Sequence, residues 1–287
     1  MENYGEIFKT YREARGLSLK DIAESGLSTS QLSRFEKGES DLTITKFIKA
    51  LRKIKMPVDE FMYVMNDFKK DEISGPWEKI QTLFYSKDVA GLNKLLIAQK
   101  EKTDELNIFK RLNTIIIKIY LGNLTNKKTH SEEDMEFVID YLLKVDYWGE
   151  YELLIFSNLL SSLNHEMSMM LLKEMNRRTD LYREISKNRR IIASMNVNAF
   201  IMCIERNKWL DAHYFEKQLE MTFFKETEIY ERYYFYFAKQ MLRYKKDGED
   251  NAIIEMKKII AGLKLVDCHN IASSFEEELA KMLGSDS

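Results

Sequence analysis

Proline, the residue that most strongly interrupts helices, occurs only twice in the 287 residues, at Pro57 and Pro76, and glycine occurs only 11 times. Stretches of 3.6-residue apolar periodicity therefore run unbroken over most of the chain. Hydrophobic residues make up 45% and charged residues 31%, and no apolar run is long enough to cross a membrane. These features predict an all-α fold, and the absence of a secretion signal predicts a cytoplasmic location.

Residues 1–68 are predicted to form five short helices. Polar residues suited to cap helix N-termini alternate with glycines suited to follow helix ends. These boundary signals are, in chain order, Gly16, Ser18, Gly26, Ser28, Gly38, Thr43 and Pro57. This segment carries 11 basic and 8 acidic residues up to Met56, against a net charge of −2 for the whole chain, which weakly favours an anionic partner.

The most specific pattern is a pair of helices joined by a sharp turn, from Leu19 to Gly38. Ala23 is small enough for the two helices to cross closely, and Leu32 and Phe35 hold the second helix from inside. Polar groups are left on its outer face, where they suit base edges, and flanking cations and helix N-termini suit phosphates. The predicted DNA-contacting residues are Thr29, Ser30, Gln31, Ser33 and Arg34 for bases, and Arg12, Arg15, Ser18, Lys20, Ser28 and Lys37 around them. The alternative is a helical bundle whose third helix is merely solvated.

A linker is predicted at residues 69–76, where charged residues precede Ser-Gly-Pro, and residues 77–287 are predicted to be a second helical domain. Shifting the chain by 40 residues places Asn158 on Asn198 and Ala238. A period of this length with two helices per unit is typical of stacked, TPR-like α-solenoids.

The segment Gln31-Leu32-Ser33-Arg34-Phe35-Glu36-Lys37-Gly38 resembles the XRE-type helix-turn-helix. Beyond it, the whole chain resembles the Rgg/GadR/MutR family, RopB-like members included, within the RRNPP group. The resemblance lies in the run from Ser28 to Ser40, in Tyr151 to Asn158, in Asn198, in Tyr230-Glu231-Arg232 and in Ala252 to Leu283.

This resemblance implies a homodimer that binds double-stranded DNA at a palindromic operator and senses short hydrophobic peptides in quorum sensing. It also implies a concave peptide pocket in the repeat domain, with Asn158, Asn198, Tyr230 and Arg232 as peptide contacts. We add Tyr234 from the neighbouring aromatic run as a further pocket residue. Some family members have a redox-active cysteine in the DNA-binding domain, and this chain has none there, which argues against a disulfide-locked dimer.

The residues by themselves leave alternatives open for this pocket. Asn158 and Asn198, one repeat apart, suit the backbone of an extended peptide, but they equally suit a helical core or a turn. Arg232 suits a peptide carboxylate, but it also suits ion pairs with glutamates on its own helix. Most of the aromatic run from Tyr230 to Phe237 is expected to belong to the core.

No catalytic or cofactor motif is recognised, so we predict no enzyme activity, no cofactor and no metal. His165-Glu166 begins like a zinc-peptidase motif, but Met169 stands where the second histidine is required. Cys203 and Cys268 are interpreted as buried thiols. The leading alternative function is a helix-turn-helix regulator whose repeat domain docks a protein partner without a small ligand, and an enzyme with an appended DNA-binding domain is the third.

Overall fold

The computed structural model describes residues 4–24, 26–68, 74–101, 108–180, 184–222 and 225–284. Over these residues the chain is built of helices, with one isolated β-bridge between Glu24 and Leu27, so the predicted all-α class is confirmed. The chain divides into two compact units, one ending at Ser86 and the other beginning at Lys87.

The first unit contains six helices within the described residues. Their bounds are α1 Tyr4–Ala14, α2 Leu19–Ile22, α3 Thr29–Glu36, α4 Ile44–Lys53, α5 Val58–Met65 and α6 Ser74–Tyr85. The five helices predicted before residue 69 are all present, although α2 has only one turn. The core of this unit combines aliphatic side chains with a chain of aromatic contacts. The ring centres of Phe8 and Phe35 are 6.0 Å apart, those of Phe35 and Phe47 are 6.0 Å apart, and those of Phe47 and Phe61 are 5.0 Å apart.

The predicted linker at residues 69–76 is only partly addressed by the structure. Residues 69–73 lie outside the described part of the chain, whereas residues 74–76 begin α6. Pro76 is compatible with this helix because the N–H groups of the first turn have no partner within a helix. The compact first unit thus includes α6, and the domain boundary predicted at residue 77 lies ten residues before Lys87.

Gly5 brings α1 into contact with the end of α3. A Cβ atom on Gly5 would lie 1.8 Å from the carbonyl oxygen of Phe35 and 2.6 Å from its carbonyl carbon. These atoms belong to the backbone, so they cannot rotate away as a side chain can. The absence of a side chain at Gly5 is therefore what allows the two helices to approach this closely.

The second unit contains ten helices within the described residues. Their bounds are α7 Val89–Glu101, α8 Ile108–Thr125, α9 Glu132–Lys144, α10 Glu150–Leu159, α11 His165–Arg178, α12 Ser186–Glu205, α13 Trp209–Thr222, α14 Ile229–Leu242, α15 Asn251–Leu265 and α16 His269–Met282. Helices α8, α10, α12 and α14 contact one another in series, and we call them the inner row. Helix α13 packs on α12, and α15 packs on α14, as in a stack of helix pairs.

Buried polar groups in this unit are paired across helices. Asn176 and Asn196 exchange two amide hydrogen bonds of 2.9 Å between α11 and α12. The guanidinium of Arg189 donates to Glu228 at 2.6 and 3.0 Å, and both side chains are buried. Such pairing is required because an unpaired polar group in an apolar interior is strongly destabilising.

None of the helices in the described ranges is both long enough and apolar enough to span a membrane.

Candidate DNA-binding face and candidate ligand face

Helix α3 starts at a capping box with no charged member. The backbone N–H of Gln31 donates to Oγ of Ser28, and the N–H of Ser28 donates to Oε1 of Gln31, both at 3.2 Å. This box fixes where the helix begins and turns the side-chain oxygen of Gln31 toward the backbone. The amide nitrogen of Gln31 is then the end of the side chain that faces away from the cap.

The polar residues of α3 have the exposure that contact with DNA requires. Thr29, Ser30 and Arg34 are exposed, and Ser33 and Gln31 are half-buried. Leu32 and Phe35 are buried in the core, as their spacing predicted. One face of the helix is therefore polar and accessible while the opposite face is packed, which is the arrangement of a recognition helix.

The capping box at the start of α2 includes a charged side chain, unlike that of α3. Oδ2 of Asp21 accepts a hydrogen bond from the N–H of Ser18 at 2.7 Å and from its hydroxyl at 2.6 Å. These hydrogen bonds lower the pKa of Asp21, so its carboxylate is ionised at neutral pH. Both donors of Ser18 are already engaged with a negative charge, and this conflicts with the prediction that Ser18 holds a phosphate.

Arg12 is not available to DNA, and the prediction that it contacts phosphate is wrong. Its side chain is buried, and its Nε and Nη2 donate to the two carboxylate oxygens of Glu36 at 2.6 and 2.8 Å. Nη1 donates to the carbonyl oxygen of Leu17 at 2.5 Å. Arg12 thus ties α1 to α3 and to the chain after α1, which is a structural role.

The remaining predicted phosphate contacts are on the surface. Lys20 and Lys37 are exposed. Ser28 is exposed as well, although its N–H donates to Gln31 and its Oγ lies 2.9 Å from Oγ of Ser30. Arg15 is exposed, donates to the carbonyl oxygen of Tyr11 at 3.1 Å and lies 5.7 Å from the Tyr11 ring centre. These four residues keep the accessibility that a phosphate contact requires, and their role remains a prediction.

In the second unit, Asn198 and two predicted tyrosines come together across α12 and α14. The hydroxyl of Tyr234 donates to Oδ1 of Asn198 at 2.7 Å. Tyr230 stacks on Tyr234 with ring centres 6.0 Å apart, and its side chain is 44% exposed. Burial raises the pKa of Tyr234, so its hydroxyl is protonated at neutral pH, and it donates because its partner Oδ1 can only accept.

Asn158 lies on α10 of the same inner row and is half-buried. Its Nδ2 donates to the carbonyl oxygen of Leu154 at 2.6 Å, so Oδ1 remains as an acceptor. Asn198 has the opposite arrangement, because its Oδ1 is engaged and its Nδ2 is not bonded within the described residues. The two asparagines therefore offer complementary hydrogen-bonding groups.

Arg232 does not share a face with these residues. Successive helical positions differ by about 100°, so Arg232 lies about 200° around α14 from Tyr230. It lines a cavity of about 650 Å³ together with Tyr236 and Lys239 of α14 and Glu255 of α15. The expectation that Asn158, Asn198 and Arg232 share one concave face is therefore wrong for Arg232.

A second tyrosine–asparagine pair in the inner row was not predicted. The hydroxyl of Tyr151 on α10 donates to Oδ1 of Asn113 on α8 at 3.1 Å. The signal in the sequence was that Tyr151 precedes Asn158 by seven residues, which places the two on one face of a helix.

The cysteines differ in environment. Cys203 is buried beside Met169, with their sulfurs 3.8 Å apart, and burial raises the pKa of its thiol to about 12. Such a thiol stays protonated and unreactive. Cys268 is only partly buried, so the interpretation of both cysteines as buried thiols holds for Cys203 and is wrong for Cys268.

Comparison with known families supports both halves of this description. The profile of the family described as "HTH-type transcriptional regulator Rgg, C-terminal domain" matches residues 92–277. A helix-turn-helix profile matches residues 8–61. The two matches fall within the repeat unit and the first unit respectively.

Solved structures with the same fold cover almost the whole chain. The SHP pheromone receptor Rgg2 of Streptococcus dysgalactiae is 24% identical with a TM-score of 0.86, over 97% of this chain and 99% of that one. A putative transcriptional regulator from Listeria monocytogenes is 24% identical with a TM-score of 0.88, over 99% and 98%. A bacterial peptide pheromone/receptor complex is 18% identical with a TM-score of 0.76, over 100% of both.

Proposed function

The chain belongs to the Rgg family of HTH-type transcriptional regulators, and on this premise we propose that it binds operator DNA as a homodimer under the control of a short hydrophobic peptide. Regulators of this family act by binding DNA, and the family is not a class of enzymes. A cytoplasmic location is part of the same proposal, because a regulator must be in the compartment that contains its operator DNA.

The accessible polar face of α3 supports the DNA-binding half of the proposal. Arg34 is suited to a guanine edge, and Ser28, Lys20 and Arg15 are suited to the flanking phosphates. One helix-turn-helix reads a single half-site, so a palindromic operator requires two copies whose recognition helices are about 34 Å apart. This is the reason to propose a C2 dimer.

The peptide half of the proposal is carried by one observation, the hydrogen bond from Tyr234 to Asn198. Because Oδ1 of Asn198 is held by the tyrosine, its Nδ2 is oriented as a donor for a peptide carbonyl group. The exposed ring of Tyr230 beside it provides apolar surface for a side chain. Two of the solved structures with this fold are, by their descriptions, receptors for pheromones.

A thermal-shift experiment tests the peptide. Full-length protein is heated with and without a pool of hydrophobic octapeptides, since a ligand at 100 times its Kd adds about 2.7 kcal/mol to the free energy of unfolding. We expect the pool to raise the melting temperature of the wild type and of Asn123→Ala, an exposed control. We expect Asn198→Ala to lose most of the shift. If no octapeptide binds the wild type, the repeat unit is better explained as a protein-docking scaffold.

Sedimentation equilibrium tests the dimer. We expect full-length protein at micromolar concentration to have twice the 34.0 kDa mass of one chain. We expect a fragment of residues 87–287 to remain a dimer as well, because the larger unit has the surface to form the interface. A monomeric fragment alongside a dimeric full-length protein would place the dimer contact in the first unit.

A further inference from the structure

The inner row contains two tyrosine–asparagine pairs with the same arrangement. Tyr151 of α10 donates to Oδ1 of Asn113 of α8 at 3.1 Å, over a separation of 38 residues, and its hydroxyl also lies 3.4 Å from the carbonyl oxygen of Phe109. Tyr234 of α14 donates to Asn198 of α12 at 2.7 Å, over a separation of 36 residues. In both pairs the tyrosine comes from the later inner-row helix and the asparagine from the earlier one. We call these the α8–α10 rung and the α12–α14 rung.

The two rungs present the same chemistry. In each rung the tyrosine hydroxyl donates to Oδ1 of the asparagine. The Nδ2 group of that asparagine has no partner among the described residues. An amide fixed in this orientation is a donor that matches the carbonyl groups of a peptide backbone. Because the tyrosine fixes the amide before any ligand arrives, less conformational entropy is lost on binding.

An accessible aromatic ring accompanies each rung. Phe109 is 51% exposed and lies 5.4 Å from Tyr151, measured between ring centres. Tyr230 is 44% exposed and lies 6.0 Å from Tyr234. Each rung therefore combines a backbone donor with an apolar surface for a ligand side chain, which is what recognition of an extended hydrophobic peptide requires.

Asn158 lies on α10, the helix that also carries Tyr151 of the α8–α10 rung. It shares a face of α10 with Tyr151, because seven residues correspond to almost two full helical turns. Its free Oδ1 is an acceptor for a backbone N–H, in contrast to the donors that the rungs offer. Asn158 and the two rungs thus place polar groups on all four helices of the inner row.

We propose that Asn113 and Tyr151 form a second peptide-binding subsite, so that one extended peptide contacts both rungs. This proposal rests on the peptide-binding function proposed above and specifies the length of the ligand. The rungs are two inner-row spacings apart, and at about 8–10 Å for each helix spacing this is about 16–20 Å. An extended chain rises about 3.3 Å per residue, so the peptide requires at least about six residues.

The test measures affinity for a single octapeptide, the member of the hydrophobic octapeptide pool that gives the largest thermal shift with wild-type protein. Full-length variants Asn113→Ala, Tyr151→Phe and Asn198→Ala are compared with Tyr147→Phe, an exposed tyrosine outside both rungs. We expect Asn113→Ala and Asn198→Ala each to weaken binding at least about fivefold, and Tyr151→Phe to weaken it less. Tyr147→Phe is expected to bind as the wild type does.

Truncation of the same octapeptide separates the two rungs. Removing residues from the end that contacts the α8–α10 rung should abolish the effect of Asn113→Ala on affinity and keep that of Asn198→Ala. Removing residues from the other end should abolish the effect of Asn198→Ala and keep that of Asn113→Ala. If Asn198→Ala weakens binding but Asn113→Ala and Tyr151→Phe behave like Tyr147→Phe, the second subsite is refuted and the proposed function stands. If no octapeptide binds wild-type protein, both proposals are refuted together. Circular dichroism of each variant verifies that loss of binding does not reflect loss of fold.

Discussion

Arg12 and Glu36 form a buried ion pair with two hydrogen bonds, of 2.6 and 2.8 Å, between α1 and the last residue of α3. The planar guanidinium matches the two carboxylate oxygens, which is a geometry that lysine cannot reproduce. Since α3 carries the candidate base contacts, this pair fixes the recognition helix against the body of the first unit.

Removing the arginine should be costly for stability. In Arg12→Ala the carboxylate of Glu36 is left buried without its cation, and loss of one member of a buried pair typically costs about 3–5 kcal/mol. We expect a loss of this size in the unfolding of the first unit, measured by urea denaturation of the full chain. Lys9→Ala, at an exposed position of the same helix, is the control. A loss below about 1 kcal/mol for Arg12→Ala, the size typical of an exposed ion pair, would contradict the structural role.

Most helix ends marked by glycine or by a capping residue could be predicted from the sequence. Gly16 and Gly38 have the positive φ expected after helix ends, and Ser28 caps α3. The turn after α15 was missed because Asp267, and not a glycine, adopts the left-handed conformation there. The turn after α6, where Lys87 adopts this conformation, was missed although Asp88 caps α7 by accepting from the N–H of Gly91. Residues other than glycine adopt this conformation uncommonly, so neither a lysine nor an aspartate by itself marks a helix end in the sequence.

Site residues that depend on local spacing could be predicted from the sequence, whereas those that depend on distant partners could not. The face of α3 follows from spacing, because Leu32 and Phe35 determine which side is buried. The burial of Arg12 depends on Glu36, which is 24 residues away, and no local pattern connects the two. That Arg232 faces away from Tyr230 could have been predicted, because residues two positions apart on a helix point in nearly opposite directions.

Gly5 gives a second prediction about the first unit. A methyl group at this position would overlap the backbone oxygen of Phe35, so α1 and α3 must separate to accommodate it. We expect Gly5→Ala to lower the free energy of unfolding by about 3 kcal/mol or more, at the upper end for overpacking. Gly149→Ala is the matched control, because its Cβ meets only a side-chain oxygen at 3.6 Å. Equal stability of the two variants would argue against the close approach.

The buried pair of Arg189 and Glu228 predicts how stability depends on pH. Hydrogen bonds from Arg189 hold the pKa of Glu228 below its usual range, despite burial, which acts to raise it. The unfolded value is about 4.3, so the pair stabilises the fold above that pH, and this stabilisation is lost as the pH falls through the lower folded pKa.

We therefore expect Glu228→Gln to lower the free energy of unfolding at neutral pH. The decline of stability between about pH 5 and pH 3 should be shallower in this variant than in the wild type, because it lacks the group that takes up a proton. Urea denaturation at several pH values measures both effects, and Glu226→Gln, at an exposed position, is the control. Parallel declines in Glu228→Gln and wild type would show that Glu228 is not responsible.

Arg34 and Arg15 are expected to differ in what they contribute to DNA binding. Arg34 is exposed on α3 among the candidate base contacts, whereas Arg15 is exposed just after α1, beside Tyr11. A base contact contributes only at the matching sequence, and a phosphate contact contributes on any duplex. Arg34→Ala should lose about 1–3 kcal/mol of binding free energy on the operator and little on random duplex, whereas Arg15→Ala should weaken binding to both duplexes alike.

Titrations at several salt concentrations should also show a shallower salt dependence for Arg15→Ala, because one fewer counterion is released. Equal losses on operator and random duplex for Arg34→Ala would reverse the two assignments.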